Sequence, residues 1–266
     1  MFRLEDTQKS ALLFEKTTDT MVQICLEKSM GIIYADEVQK PKTAAACLGE
    51  FCFLAGKTDQ PFLQELKTTC LDINILVPQN EEWAALIETV YGNQAKRIVR
   101  YAFLKEPHIW DLDDLEKTAA KTAVSLPEGF EVRKIDEEIY QYAKNHPWAE
   151  DWVSLFPSYE VFAQKGLGFA IVNGHIPVAG ASSYCAGRKA VEIQIDTHPA
   201  FRRRGLAFLC AAALILECEN KGIYPSWDAH NLESKALAEK LGYRMDKEYT
   251  AYILQEMDGK DKGGIG

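Results

Sequence analysis

The stretch Gln194 to Ala207, QIDTHPAFRRRGLA, constrains this chain more than any other. It reads as the end of a strand, a turn, three arginines closing on Gly-Leu-Ala, and then a long apolar helix. A backbone bend with converging N–H groups at the start of a helix is built to hold phosphate. A glycine at the bend lets the main chain approach the ligand closely, and the arginines can add charge-assisted bonds.

The segments around this bend give the order of elements. Phe130 to Arg133 reads as a strand, opened by Leu126-Pro127-Glu128-Gly129. Asp136 to Asn145 and Ser158 to Lys165 read as helices, with His146-Pro147-Trp148 between them. Gly168 to Asn173 and Pro177 to Tyr184 form an expected hairpin around Asn173-Gly174, a strong turn signal. Ala190 to Asp196 is the next strand, Leu206 to Asn220 the long helix, and Tyr224 to Ala229 a further strand. Asn231 caps a helix to Leu241, stopped by Gly242, and Tyr249 to Leu254 is the last strand.

The first half reads less distinctly. Ala11 to Met30 and Glu81 to Tyr91 look helical; Gly31 to Tyr34, Gly49 to Ala55, Ile73 to Val77 and Ile98 to Phe103 look like strands. Residues 104–128 form a charged connector with a short helix. A boundary near 122–126 gives an N-terminal α/β domain, 1–122, a second domain, 123–257, and a disordered tail, 258–266, rich in Gly and Lys.

Composition removes several function classes. The net charge of −9 is spread over both parts: 14 basic against 19 acidic residues give −5 for 1–122, leaving −4 for the rest. That disfavours nucleic acid as a ligand and suits a cationic small molecule. Seven cysteines, an odd number without a C-x-x-C pair, read as free thiols in a cytoplasmic protein. No Cys/His spacing suggests a metal. The N-terminus is charged and is not a signal peptide. The apolar run Leu206 to Leu216 is about half of what a bilayer-spanning helix needs.

Arg202-x-x-Gly205-x-Ala207 resembles the Gln/Arg-x-x-Gly-x-Gly/Ala loop of the GNAT N-acetyltransferase superfamily. Trp227-Asp228-Ala229-His230-Asn231, Ser234 and Leu237-Ala238-Glu239-Lys240-Leu241-Gly242-Tyr243 follow at the family's spacing. The Thr-x-x-x-Phe-Arg string from Thr197 and the Trp-Asp-Ala-x-Asn string resemble the branch that includes zwittermicin A resistance acetyltransferases. The resemblance implies an α/β (α+β) GNAT fold over the second half. Its central sheet is mixed, mostly antiparallel and flanked by helices, and a degenerate copy is implied in the first half. It also implies acetyl-CoA as co-substrate, a small amine as acceptor, and direct attack in a ternary complex. Arg202, Arg203, Arg204, Gly205, Leu206 and Ala207 would hold the pyrophosphate. Ile195, Asp196 and Thr197 would pair with the pantetheine amides, and Asn231 and Ser234 would hydrogen-bond the arm.

Aminolysis needs a neutral amine, a polarised carbonyl and an acid for the leaving thiolate. Glu192, on the strand leading into the loop, is the candidate base, with water, Asp228 and His230 as alternatives. The family's usual tyrosine acid is replaced by Ala238. Trp148-Ala149-Glu150-Asp151-Trp152 stands where the family builds its acceptor pocket. Without that tyrosine, a degenerate domain that binds acyl-CoA or a protein partner without turnover is the alternative. A nucleotide-binding module has no Walker-type lysine string behind it. Oligomeric state stays open.

Overall fold

The computed structural model describes residues 1–106 and 109–255; the expected tail 258–266 lies outside them. The chain divides into two compact units, Met1–Val99 with the segment from Tyr249 onward, and Arg100–Glu248. The chain crosses between them inside β-strands, not in a linker near 122–126.

The first unit contains β1 (Phe2–Arg3), α1 (Thr20–Leu26), β2 (Ile32–Ala35), β3 (Thr43–Leu48), β4 (Phe51–Gly56), α2 (Gln60–Thr69), β5 (Ile75–Pro78), α3 (Glu81–Tyr91) and the start of β6 (Ala95–Phe103). The expected helix from Ala11 to Met30 is broken into a 3-10 stretch, Thr7–Phe14, and α1. Asp19 causes the break by capping α1, accepting from the Met21 N–H at 2.8 Å. Strands β1 to β4 pair antiparallel in sequence order, and β5 joins β4 in parallel. Tyr252 and Ile253 then pair antiparallel with Leu76 and Ile75. Phe62, Leu63 and Leu66 of α2 and Trp83 and Ile87 of α3 bury against Leu54, Leu76 and Tyr252.

The second unit contains α4 (Leu112–Val124), β7 (Phe130–Lys134), α5 (Glu137–Lys144), α6 (Tyr159–Lys165), β8 (Gly168–Asn173), β9 (Ile176–Ala186), β10 (Ala190–Thr197), α7 (Leu206–Asn220), β11 (Tyr224–Ser226), β12 (Asp228–Ala229), α8 (Leu232–Lys240) and the start of β13 (Met245–Leu254). Its five-stranded sheet has the order β11-β10-β9-β8-β7, antiparallel except for β10 with β11. Helix α7 lies between the sheet and α4, which explains why it is apolar nearly all round. Because α4 packs on α7, the segment expected to be a connector belongs to this unit.

The strand expected over Tyr224 to Ala229 splits at Trp227. Trp227 is 4% exposed, and its indole N–H donates to Ser234 Oγ at 3.1 Å. Beyond it, Asp228 forms a buried ion pair with Arg100 at 2.6 Å, and β12 pairs with residues 101–102 of β6. Strand β11 therefore accompanies β10 for only three residues. The element order β-β-β-α-β-α-β occurs in both units, each with one parallel step, at β4–β5 and at β10–β11.

Candidate active site

The site is organised by β10. It pairs with β9 as far as Thr197↔Ala179, but with β11 only over Ala190–Glu192. Past Glu192, one edge of β10 is open. The Lys189 carbonyl accepts from Tyr224 N at 2.8 Å, and His198 N donates to the Val178 carbonyl on β9 at 2.9 Å. Antiparallel pairing alternates the direction of successive residues, so Ile193, Ile195 and Thr197 turn their main-chain groups to the open edge. Arg202 Nε donates to the Thr197 carbonyl at 3.2 Å. The main-chain groups of Ile193 and Ile195 present a short β-ladder to an extended, amide-bearing ligand.

The loop after β10 leads to the start of α7. Gly205 occupies the N-cap position with φ 77°, and among the described residues no side chain caps the helix. The N–H groups of Leu206, Ala207 and Phe208 thus have no acceptor within the helix, and they point out with the positive end of its dipole. Arg203 also has a left-handed φ, 63°. It pairs with Glu233 of α8 at 3.2 Å, both side chains being exposed. The Arg204 guanidinium lies 5.3 Å from the Phe201 ring centre. All three arginines are exposed.

A second group of side chains lies beside the open half of β10. Trp152 is fully buried, and its ring lies over Gly180, where a Cβ would come within 2.6 Å of the indole. The Trp152 carbonyl accepts from Ser182 Oγ at 2.6 Å. Its indole N–H donates to Asp196 Oδ2 at 3.2 Å, and Gln194 Nε2 donates to the same oxygen at 2.9 Å. Trp148 packs edge-on against Trp152 and against the His198 ring, at 5.1 and 5.4 Å between centres. Burial pushes the Asp196 carboxyl above the ordinary carboxylate range; the Gln194 hydrogen bond opposes the shift and the charge of Asp151 adds to it.

A family model described as GNAT acetyltransferase matches residues 11–252. This chain belongs to the GNAT acetyltransferase family. As a GNAT-type N-acetyltransferase it carries out acyl-CoA-dependent transfer to nitrogen. It is 29% identical over 251 residues to YdfB of Bacillus subtilis (strain 168), described as an uncharacterized N-acetyltransferase, with 90% of this chain and 91% of that one covered. A crystal structure of a GCN5-related N-acetyltransferase-like protein from Streptococcus suis 89/1591 is 41% identical, with a TM-score of 0.87 over 94% of this chain and 99% of that one. A tandem GNAT protein from the clavulanic acid biosynthesis pathway, 12% identical, shares the fold with a TM-score of 0.52 over 92% of each chain.

The other GNAT positions expected from the sequence are placed as follows. Glu192 is 5% exposed at the last residue where β10 and β11 still pair, opposite Ser226. Asn231 caps α8, accepting from Ser234 N at 2.8 Å, and its Nδ2 lies 2.8 Å from His230 Nε2. Ser234 Oγ accepts from the Trp227 indole. Asp228 is held by Arg100, a structural partner. Burial and then the charge of Arg100 lower the His230 pKa, with Asp228 opposing. Ala238 is fully buried, and the nearby Tyr243 hydroxyl donates to the Pro225 carbonyl at 2.7 Å inside the core. Sequence reasoning assigns Asp196 through its main chain alone and misses the placement of its carboxyl. Its signal was the polar alternation Glu192, Gln194, Asp196 along one face of a strand.

The first unit answers the same test differently. Its parallel step β4–β5 keeps pairing from Phe51 to Leu54, and Asp59 accepts from Phe62 N at 2.9 Å, capping α2 with its own carboxylate. That acidic cap stands where the second unit offers donors to a phosphate. The open strand edge and the uncapped helix fit a CoA thioester in the second unit.

Proposed function

We propose that this GNAT enzyme transfers an acetyl group from acetyl-CoA to a small cationic amine within a ternary complex. The observation that carries the reading is the loss of β11 from β10 after Glu192, on the strand that leads into a helix whose N-terminus no side chain caps among the described residues. Acetyl-CoA supplies the acyl thioester. Arg202, Arg203, Arg204 and Gly205, with the N–H groups of Leu206 and Ala207, hold the pyrophosphate. The main chain of Ile195 and Thr197 pairs with pantetheine, while Asp196 between them turns its main chain to β9, and Asn231 and Ser234 lie along the arm. A main-chain N–H of Ile195–Thr197 polarises the thioester carbonyl. The amine proton leaves to a carboxylate of β10 or to water, Glu192 being the residue that the sequence nominates.

In this reading the second unit is the catalytic domain and the first a degenerate copy without its own CoA site. Within the family, the strings at Thr197 and Trp227 support the branch of zwittermicin A resistance acetyltransferases. The net charge of −9 supports a cationic acceptor.

Isothermal titration with acetyl-CoA, followed by acetyl transfer to a panel of primary amines, tests the reading. Binding with transfer to at least one amine is expected. Absence of binding at high micromolar acetyl-CoA removes it, and binding without transfer turns the chain into an acyl-CoA-binding protein.

A further inference from the structure

We infer that Asp196 is the general base of this enzyme, ahead of Glu192: its free carboxylate oxygen receives the acceptor's ammonium and takes its proton. The inference rests on the function proposed above and assigns the proton to one atom.

Three observations carry it. First, Asp196 lies on the open half of β10, whereas Glu192 sits where the strand has a partner on each side, Cys185 and Ser226. A substrate that reaches the thioester beside Ile195 and Thr197 meets Asp196 before Glu192. Second, the carboxylate is oriented. Both donors, Trp152 Nε1 and Gln194 Nε2, bind Oδ2, and among the described residues no hydrogen bond is made to Oδ1. A base held by one oxygen and offered by the other suits proton transfer at a fixed position. Third, Trp152, the donor to the carboxylate, is extended by Trp148, which packs edge-on against it and against His198, and ring faces attract an ammonium while it is being desolvated.

The charges facing Asp196 are those of Asp151, from the 3-10 turn Glu150–Trp152, and Arg202, from the loop. Asp151 favours a bound cation, and Arg202 limits the build-up of negative charge. Burial raises the Asp196 pKa above that of an ordinary carboxylate. The shift makes it a stronger base than an ordinary carboxylate.

The step balances. An N–H bond of the ammonium breaks and its proton goes to Oδ1 of Asp196. The nitrogen lone pair forms the C–N bond to the acyl carbon, and the C–S bond breaks with its electron pair on sulfur. The thiolate takes a second proton from nitrogen, leaving the amide and the thiol. Asp196 returns its proton to water.

The test uses the full chain and acetyl-CoA with spermidine, kanamycin, phenethylamine and lysine, the best acceptor being carried forward. For the wild type, kcat/KM rises with pH through the Asp196 pKa and then levels off. Asp196→Asn is expected to lower kcat by about 10²–10⁴-fold with acetyl-CoA affinity unchanged within about threefold. Its kcat/KM should climb with unit slope to the pKa of the amine, because only the neutral amine then reacts. A difluorinated amine of low pKa should recover most of the lost rate in Asp196→Asn, and Asp196→Glu should restore part of it with the natural profile. A plateau that persists in Asp196→Asn, or one that disappears in Glu192→Gln while Asp196→Asn keeps it, overturns the assignment. So does a wild type that binds acetyl-CoA and acetylates none of the four amines. A wild type that does not bind acetyl-CoA overturns the proposed function itself.

Discussion

Gly205 and Gly180 do different work, and substitution should separate the two. At Gly205 a Cβ would sit 3.4 Å from Thr122 Cγ2, an ordinary contact, so the cost of Gly205→Ala comes from φ 77° alone. That cost is about 1–2 kcal/mol, or about 2–8 °C in Tm. Because the bend also aims the N–H groups of α7, acetyl-CoA affinity should fall by about tenfold or more; calorimetry measures one effect and thermal unfolding the other. At Gly180 a Cβ would come within 2.6 Å of the Trp152 ring. Gly180→Ala should therefore cost about 1–3 kcal/mol and lower kcat by displacing the donor to Asp196, while acetyl-CoA binding is kept. Asp196 carries a stability signature as well. Its folded pKa lies above its unfolded value, so the folded state binds more protons in that window and stability falls as pH rises through the folded pKa. Asp196→Asn should raise Tm by about 2 °C at pH 7 and lose the gain below pH ~4, where the wild-type carboxyl is already protonated. An unchanged Tm difference between the two pH values would remove this account of the carboxyl.

Elements with local signals were legible. Helix α7 runs from Leu206 to Asn220 as its apolar run and the following glycine predict, and the Asn173-Gly174 hairpin is present. Strand β3 was not legible, because Thr43-Ala-Ala-Ala-Cys-Leu48 has little intrinsic strand preference; burial between β2 and β4 makes it one. Helix α2 carries a local signal of its own. Asp59 and Pro61 mark a helix start, and Phe62, Leu63 and Leu66 share one face. Leu63 is fully buried, so Leu63→Ala should cost about 2–5 kcal/mol by chemical denaturation. The split between β11 and β12 was invisible for a tertiary reason: Asp228 is drawn to Arg100, 128 positions earlier in sequence. The bend before α7 could be read because glycine and arginine mark it locally. The Asp196 carboxylate could not, because its orientation depends on Trp152, 44 positions away.

For the whole chain, the two units are not two consecutive stretches of sequence. The first is completed by residues beginning at Tyr249, which pair with β5. A fragment of residues 1–122 should therefore lack a cooperative unfolding transition, and a peptide spanning residues 245–255 should restore part of it; circular dichroism follows both. A fragment that melts cooperatively without the peptide would show that β13 is dispensable to that unit. This return of the chain also has a kinetic consequence. During synthesis the N-terminal sheet must wait, one edge uncovered, until all of the intervening 149 residues, Arg100–Glu248, have left the ribosome. An exposed strand edge invites pairing with a neighbour. Nascent chains of this protein should therefore lean on chaperones far more than the finished enzyme does.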